Sequence, residues 1–416
     1  MFQAFRNRNI ALLFTGQFAS LAGDMVLFIA LPFWVFQLTG SAMATGIMFA
    51  ALMIPQFVLS PIAGVFVDRL DRKRLMIASD LIRGALMLGY LFVNTADQVW
   101  IIYLLAFSES AVSQFFRPSV MAVVPTLVNG EEELTRANAA LGASQALAQL
   151  AGPALGGVLV ATFGPHSAAL FDSASYLFSA LMVLLLQIPL RQTVAAQAAN
   201  ARQAVTQITE ELAQGIRVVL DRPILRIVFG SLVLLFLSQG IINVLLVVMV
   251  NQIWHVGATE FGWLISAQGI GGVIGTLVVG AIAARVSPRM MVIAGGLISG
   301  LVLLAIVNQP SIFVAIALIL PAGVVFIAFD VGLMTLIQIG SDDSNRGRVS
   351  GLMQTTMAAA QLIAIASTSL LADSLGAVLL LDIASVLFAF GGLIAILVPR
   401  GSAPASTAAP TPQPAE

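Results

Sequence analysis

Cysteine is absent from the 416 residues, which excludes a disulfide framework and any thiol chemistry. Charge is scarce, at 9% of residues, and balanced: 19 basic side chains against 20 acidic ones leave a net charge of -1 and no basic surface for nucleic acid. Histidine occurs twice, as His166 and His255, in no arrangement that would hold a metal or activate a nucleophile. No Walker motif or soluble nucleotide-binding region is present, which argues against direct ATP drive. No cofactor site is expected, and nothing points to an enzyme.

What the chain has in excess is apolar length, with 59% of residues hydrophobic. A soluble domain of this size could not hide that much apolar surface, so the bulk of the chain belongs in a bilayer. Spans are expected at about 10–36, 43–67, 75–93, 98–126, 137–163 and 168–189, then at about 223–251, 260–284, 288–307, 311–338, 348–372 and 377–398. Gly, Pro and Ala content and segment length favour helices over barrel strands. The first run lacks the small-residue cleavage pattern of a signal peptide and is expected to be retained.

Basic residues fall on one side of this scheme: Arg6 and Arg8, the group Arg69, Arg72, Lys73 and Arg74, then Arg136, Arg285, Arg289, Arg346, Arg348 and Arg400. The opposite loops hold only Asp97, Glu260 and Asp373. The positive-inside bias therefore predicts cytoplasmic termini. Residues 190–222, between two six-span halves (1–189 and 223–400), carry Val205, Ile208, Leu212, Ile216 and Val219 at amphipathic-helix spacing. This helix is expected on the membrane surface or against the bundle ends. The Pro/Ala/Ser tail 401–416 is expected to be disordered.

The halves are related. FDSASYLF at 171–178 recurs as LDIASVLF at 381–388, pairing Asp172 with Asp382 and Ser175 with Ser385. The segments beginning at Arg136 and Arg346 match at the same offset. Parallel repeats of this kind place a binding site at their shared interface, opened alternately by rocking.

Two motifs carry a family resemblance. Gly64, Asp68, Arg69, Arg72 and Lys73 fit G-x-x-x-D-R-x-G-R-K/R, with Asp71 in place of the second Gly. Ala148, Gly152, Pro153, Gly156 and Gly157 fit G-x-x-x-G-P-x-x-G-G on the fifth span. With these the chain resembles the major facilitator superfamily over residues 5–398. TGSAM at 39–43, VDRLDRKRLMIASDLI at 67–82, FFRPSVMAVVPTLV at 115–128 and GRVSGLM at 347–353 look like its macrolide-efflux and siderophore-exporter branch. The resemblance implies an all-α polytopic protein of twelve transmembrane helices in two six-helix halves, a monomer in a bacterial inner membrane. It also implies a gating role for both motifs: a clasp at the loop and an interdomain seal at the glycines. In the second half Ala284 stands where the first has Asp68, which implies a weaker clasp there.

Asp24 and Glu109 fall near the middle of their spans, where a carboxylate must protonate, pair or face water. That makes them candidates for proton coupling or for anchoring a cationic substrate, with a buried hydrogen bond as the competing role. Arg117, eight residues after Glu109, is about 12 Å further along the helix and could share its cavity. Asp80 with Arg83, and Asp330, are expected near the inner ends as ion pairs joining helices. Asp172 and Asp382 are expected as caps or interhelical bonds. Gln17, Gln145, Gln149, Gln239 and Asn243 are candidates to line the path, with Phe14, Phe18, Phe28 and Trp34 as apolar contacts or packing residues. The function expected is proton-driven alternating-access export of hydrophobic or amphiphilic molecules, macrolides among them, with antibiotic resistance as the outcome. A siderophore or metabolite exporter, a lipid or lysolipid transporter and a nontransporting scaffold are the alternatives.

Overall fold

The structure is a computed structural model that describes residues 5–67, 70–187, 201–342 and 344–399, with side chains undescribed at 60–66 and 201–209. Asp68, Arg69 and the tail from Gly401 lie outside the described residues, as does the first part of the linker. The first half comprises α1 (Arg8–Thr39), α2 (Ala42–Val67), α3 (Arg72–Gly89), α4 (Val99–Val123), α5 (Glu131–Phe163) and α6 (Pro165–Leu185). A connecting helix, α7 (Ala201–Asp221), leads to α8 (Pro223–Gln252), α9 (Ala258–Ile282), α10 (Pro288–Val307), α11 (Ile312–Gly340), α12 (Arg346–Leu375) and α13 (Ala377–Ile394). All but α7 are long and apolar enough to cross a membrane. The chain is thus an all-α, twelve-span protein built as two six-helix halves.

Local chemistry sets the helix ends. Pro223 and Pro288 open α8 and α10 at a position where the missing N–H is no loss. Asn7 caps α1 by accepting from the backbone N–H groups of Asn9 and Ile10, while its Nδ2 donates to Leu127 O at 2.8 Å. That single side chain fixes the start of α1 to the turn between α4 and α5. Asp71, the residue that departs from the loop motif, is the N-cap of α3 and accepts from Arg74 N at 3.0 Å.

Lys73 donates to the carbonyls of Leu184 and Leu186 at 2.8 and 2.7 Å, and Arg72 to that of Ala122 at 3.1 Å. The loop cations thereby cover the carbonyl ends of α6 and α4, which carry partial negative charge. The connecting helix lies against the ends of α12 and α8, burying Val219 and half-burying Leu212. Gly215 brings it close enough to α12 that a Cβ would stand 3.1 Å from Arg348 O. Ile216, expected on the same stripe, is exposed on its flank.

The halves meet through the ends of their helices remote from α7. One core joins Val26 to Phe36 of α1 with Ile241 to Val250 of α8, Phe261 and Leu264 of α9, and Ala364 and Ile365 of α12. The α5–α9 crossing is close: a Cβ on Gly157 would lie 2.5 Å from Ala258 O, and one on Gly262 would strike Pro153 O. Thr259 donates to Gly157 O at 3.4 Å. Gly152 and Gly156 face α1 instead, against Met25 and Val26. The contact positions lie in the halves of α5 and α9 away from α7. The structure is therefore sealed at one face, and its cavity lies toward the other.

Candidate functional site

A cavity of about 590 Å³ reaches from mid-depth to the α7-side ends of α4 and α5. All its walls come from the first half. Gln17 and Asp24 of α1, Gln56 of α2, Arg83 of α3, Arg117 of α4 and Gln145 of α5 give it a polar lining of both charge signs. Its volume suits a drug-sized molecule. Gln149, Gln239 and Asn243 stand outside this wall; Gln239 donates to Asn243 one turn away on α8, at 3.3 Å. The aromatic candidates on α1 pack within the protein: Phe28 against Phe49, and Trp34 against Tyr90 and His166.

Behind the cavity lies a buried charged cluster. Arg83 is fully enclosed, its guanidinium 4.2 Å from the Tyr176 ring centre and 4.7 Å from that of Phe116. It pairs with Asp80 Oδ1 at 2.5 Å and approaches Glu109 Oε1 at 4.0 Å. Tyr176 Oη donates to Asp24 Oδ1 at 2.6 Å and lies 3.1 Å from Glu109 Oε1. One phenol thus joins the two carboxylates singled out in the sequence, on α1 and α4, from a third helix, α6. Arg117 reaches the same cavity but is exposed on its wall.

The expectations for three acids need correction. Asp80 and Arg83 sit about half-way along the 72–92 span, and their pair closes within one turn of α3 instead of joining two helices. The link between helices is made by Arg83 to α4 and α6. Asp330 has no ion-pair partner among the described residues and lies well inside α11. Asp172 is fully buried within α6 and caps nothing; Ser175 donates to its Oδ1 at 3.0 Å and its Oδ2 has no partner. Gly23 makes room for it, since a Cβ there would strike Asp172 Oδ1. Its repeat partner Asp382 does make an interhelical bond, accepting from Asn308 at 2.8 Å.

Among the described residues the cluster brings four carboxyl groups, Asp24, Asp80, Glu109 and Asp172, around one guanidinium. A single cation can balance one carboxylate, so at membrane depth the rest call for protons or a cationic guest. No group of three or more His, Asp or Glu among the described residues is placed to hold a metal. Arg83 and Tyr176 are the members of the cluster that the sequence reading did not place at a candidate site. Arg83 was assigned to a span end, although it is eleven residues from Arg72 and nine from Phe92. Tyr176 could have been noticed because the repeat has Val386 in its place and the chain has only three tyrosines.

Comparison with known proteins agrees with this architecture. The chain is 27% identical over 385 residues to the multidrug efflux pump Tap of Mycobacterium tuberculosis (strain ATCC 25618 / H37Rv), covering 89% of each. It is 30% identical over 179 residues to macrolide efflux protein A of Streptococcus pyogenes, 42% of this chain and 44% of that one. Among solved structures, a bacterial homologue of the iron transporter ferroportin in an inward-facing state superposes with a TM-score of 0.72 at 18% identity, covering 94% of this chain and 98% of that one. The sequence profile of the Major Facilitator Superfamily matches residues 13–237 and 228–415. With two six-helix halves and a profile matching nearly its whole length, this chain belongs to the Major Facilitator Superfamily, whose members are secondary transporters and not enzymes.

Proposed function

We propose that the protein is a proton-coupled exporter of amphiphilic small molecules, working by alternating access from the cytoplasmic side of a bacterial plasma membrane. The observation that carries this is Asp24, a carboxyl on the cavity wall at mid-membrane, tied through Tyr176 to a second carboxyl, Glu109. A group in that position can exchange protons and attract a basic amine in turn, which is the minimum that antiport requires. The basic-residue bias makes the α7 face cytoplasmic, so the cavity faces the compartment from which an exporter loads. The names of the efflux relatives support the same direction, and macrolides or other drugs with a basic amine could pair with Asp24 on the wall.

Arg83 and Arg117 on that wall favour a second reading, a metabolite exporter whose cargo also carries an acid group. The α5–α9 crossing at Pro153, Gly157 and Gly262 would be the outer gate. Gly152 and Gly156 would hold α5 to α1, so that the two move together. Arg72 and Lys73 each bind carbonyls of their own half.

Proteoliposomes holding the full chain, with an imposed proton gradient and ethidium, erythromycin and a carboxylated siderophore in turn, test the reading. Accumulation of a basic compound against protons is expected, with Asp24→Asn abolishing the response to the gradient. Flux of every transported compound that ignores the gradient would remove the proton-coupled reading.

A further inference from the structure

The Tyr176 hydroxyl has one proton and stands between two carboxyl groups, 2.6 Å from Asp24 Oδ1 and 3.1 Å from Glu109 Oε1. A phenol offers one donor and accepts through its lone pairs, whereas an ionised carboxylate only accepts. Both contacts can be hydrogen bonds together only when one carboxyl carries a proton. Either Glu109 donates to Oη while Oη donates to Asp24, or the order is reversed. The two arrangements differ by a concerted shift along three oxygens.

The surroundings hold this geometry and bias it. Tyr176 is 1% exposed, and the Arg83 guanidinium covers its ring face. The other ionisable groups around the trio are Arg83 and Asp80 from α3, Tyr90 just past its end, and Asp172 one turn away on α6. Of the two carboxyls, Asp24 lies on the cavity wall and Glu109 does not. The Arg83 guanidinium stands 4.0 Å from Glu109 Oε1. Negative charge is therefore tolerated at Glu109 with a cation beside it, and at Asp24 with water or a cationic guest beside it.

We propose that Tyr176 is the relay through which a proton passes between Glu109 and Asp24. In the step, Glu109 gives its carboxyl proton to the Tyr176 oxygen as that oxygen gives its own to the Asp24 carboxylate. The O–H bonds of Glu109 and Tyr176 break, and those of Tyr176 and Asp24 form. Tyr176 ends as a neutral phenol, and the negative charge has moved from the cavity wall to the side of Arg83. Loss of charge at Asp24 frees a cationic guest, and the reverse step restores the binding carboxylate. The group that meets substrate and the partner that exchanges its proton are thus separate residues. This deepens the proton-coupled reading above and rests on it.

Tyr176→Phe keeps the ring and its stacking on Arg83 but removes the relaying oxygen. In proteoliposomes with ethidium and erythromycin as probes, the ratio of gradient-driven accumulation to gradient-free exchange should fall at least about tenfold against wild type. An unchanged ratio would overturn the relay while leaving proton coupling intact. Wild-type flux indifferent to the gradient would instead remove coupling and relay together.

Infrared difference spectra of the purified, ligand-free chain give a second readout that needs no transport. Carboxyl bands assigned with Asp24→Asn and Glu109→Gln should titrate jointly in wild type and independently in Tyr176→Phe. Joint titration that survives in the Phe variant would contradict the relay. Should that variant fail to fold, independent titration of the two bands in wild type would overturn it equally.

Discussion

Arg83 is the side chain on which most of the buried chemistry depends. It pairs with Asp80, approaches Glu109 and stacks on Phe116 and Tyr176, so it holds α3, α4 and α6 in one register. Breaking a buried pair by removing one partner costs about 3–5 kcal/mol, because a charge is left without compensation. Arg83→Met should therefore lower the melting temperature of the detergent-solubilised protein sharply, and Asp80→Asn on that background should restore part of it. A single variant as stable as wild type would show that Arg83 carries little of the packing. Arg83→Lys should also lose stability, since an ammonium cannot stack on two rings as a guanidinium does.

At this scale the sequence was half legible. Asp24 and Glu109 stood out because a lone carboxylate in an apolar run is conspicuous. Their common partner did not, because a tyrosine in a span reads as packing until its hydroxyl is seen between two acids. Arg83 was placed with Asp80 near the inner end of its span, although its depth follows from helix rise alone.

Among the elements, the equivalent helix contacts of the two halves differ in kind. In the first half, α3 meets α6 through Arg83, Asp80 and Tyr176. In the second, α10 meets α13 through glycine: a Cβ on Gly296 would lie 2.5 Å from Gly392 Cα, and one on Gly300 would lie 2.6 Å from Ala389 Cβ. Small residues at such crossings let backbones touch, which is how helices associate where no hydrophobic drive exists. Gly300→Leu should therefore cost stability without changing the proton dependence of any flux that remains. A changed dependence would place chemistry in the second half.

The crossing of α5 and α9 differs, because in the proposed mechanism it would separate when the sealed face opens. Gly262→Leu should push α9 from α5 and favour the state open at that face. With no native cysteine, a single Thr259→Cys substitution labelled by an impermeant maleimide reads this directly. Faster labelling in the Leu variant is expected, and equal labelling would mean the crossing is no gate. The glycines of α5 were legible as a motif; that two of them face α1 and one faces α9 follows only from helix phase in the assembled bundle.

At the other face, Arg222 at the start of α8 bonds Gly340 O at 2.7 Å and both carboxylate oxygens of Asp342. The hydrogen bonds from Arg222 hold the Asp342 carboxyl below its usual range. A lowered folded-state value means the contact contributes at all pH above the ordinary carboxylate range and is lost as pH falls through the lowered value. A spin label at Asn345→Cys should be ordered at neutral pH and mobile there in Arg222→Ala. Equal mobility in the two proteins would show that the bond does not order the loop.

For the whole molecule, the twelve-span count, the paired halves and the separate linker helix were legible because apolar length and charge placement are set by the bilayer itself. The captured arrangement was not, since one sequence must support both arrangements of its halves. The halves differ in content: the first holds the cavity and its acids, and the second supplies a closely packed body against which, in the proposed mechanism, it would rock. That division makes reciprocal opening the claim on which the rest depends. Spin-label distances test it most directly, with one pair at Glu132→Cys and Ala284→Cys on the α7 face and another at Phe163→Cys and His255→Cys on the sealed face. Between alkaline and acidic buffer the account predicts that one distance shortens as the other lengthens, and that Asp24→Asn no longer responds. Two distances that stay fixed, or that change in the same direction, would contradict it.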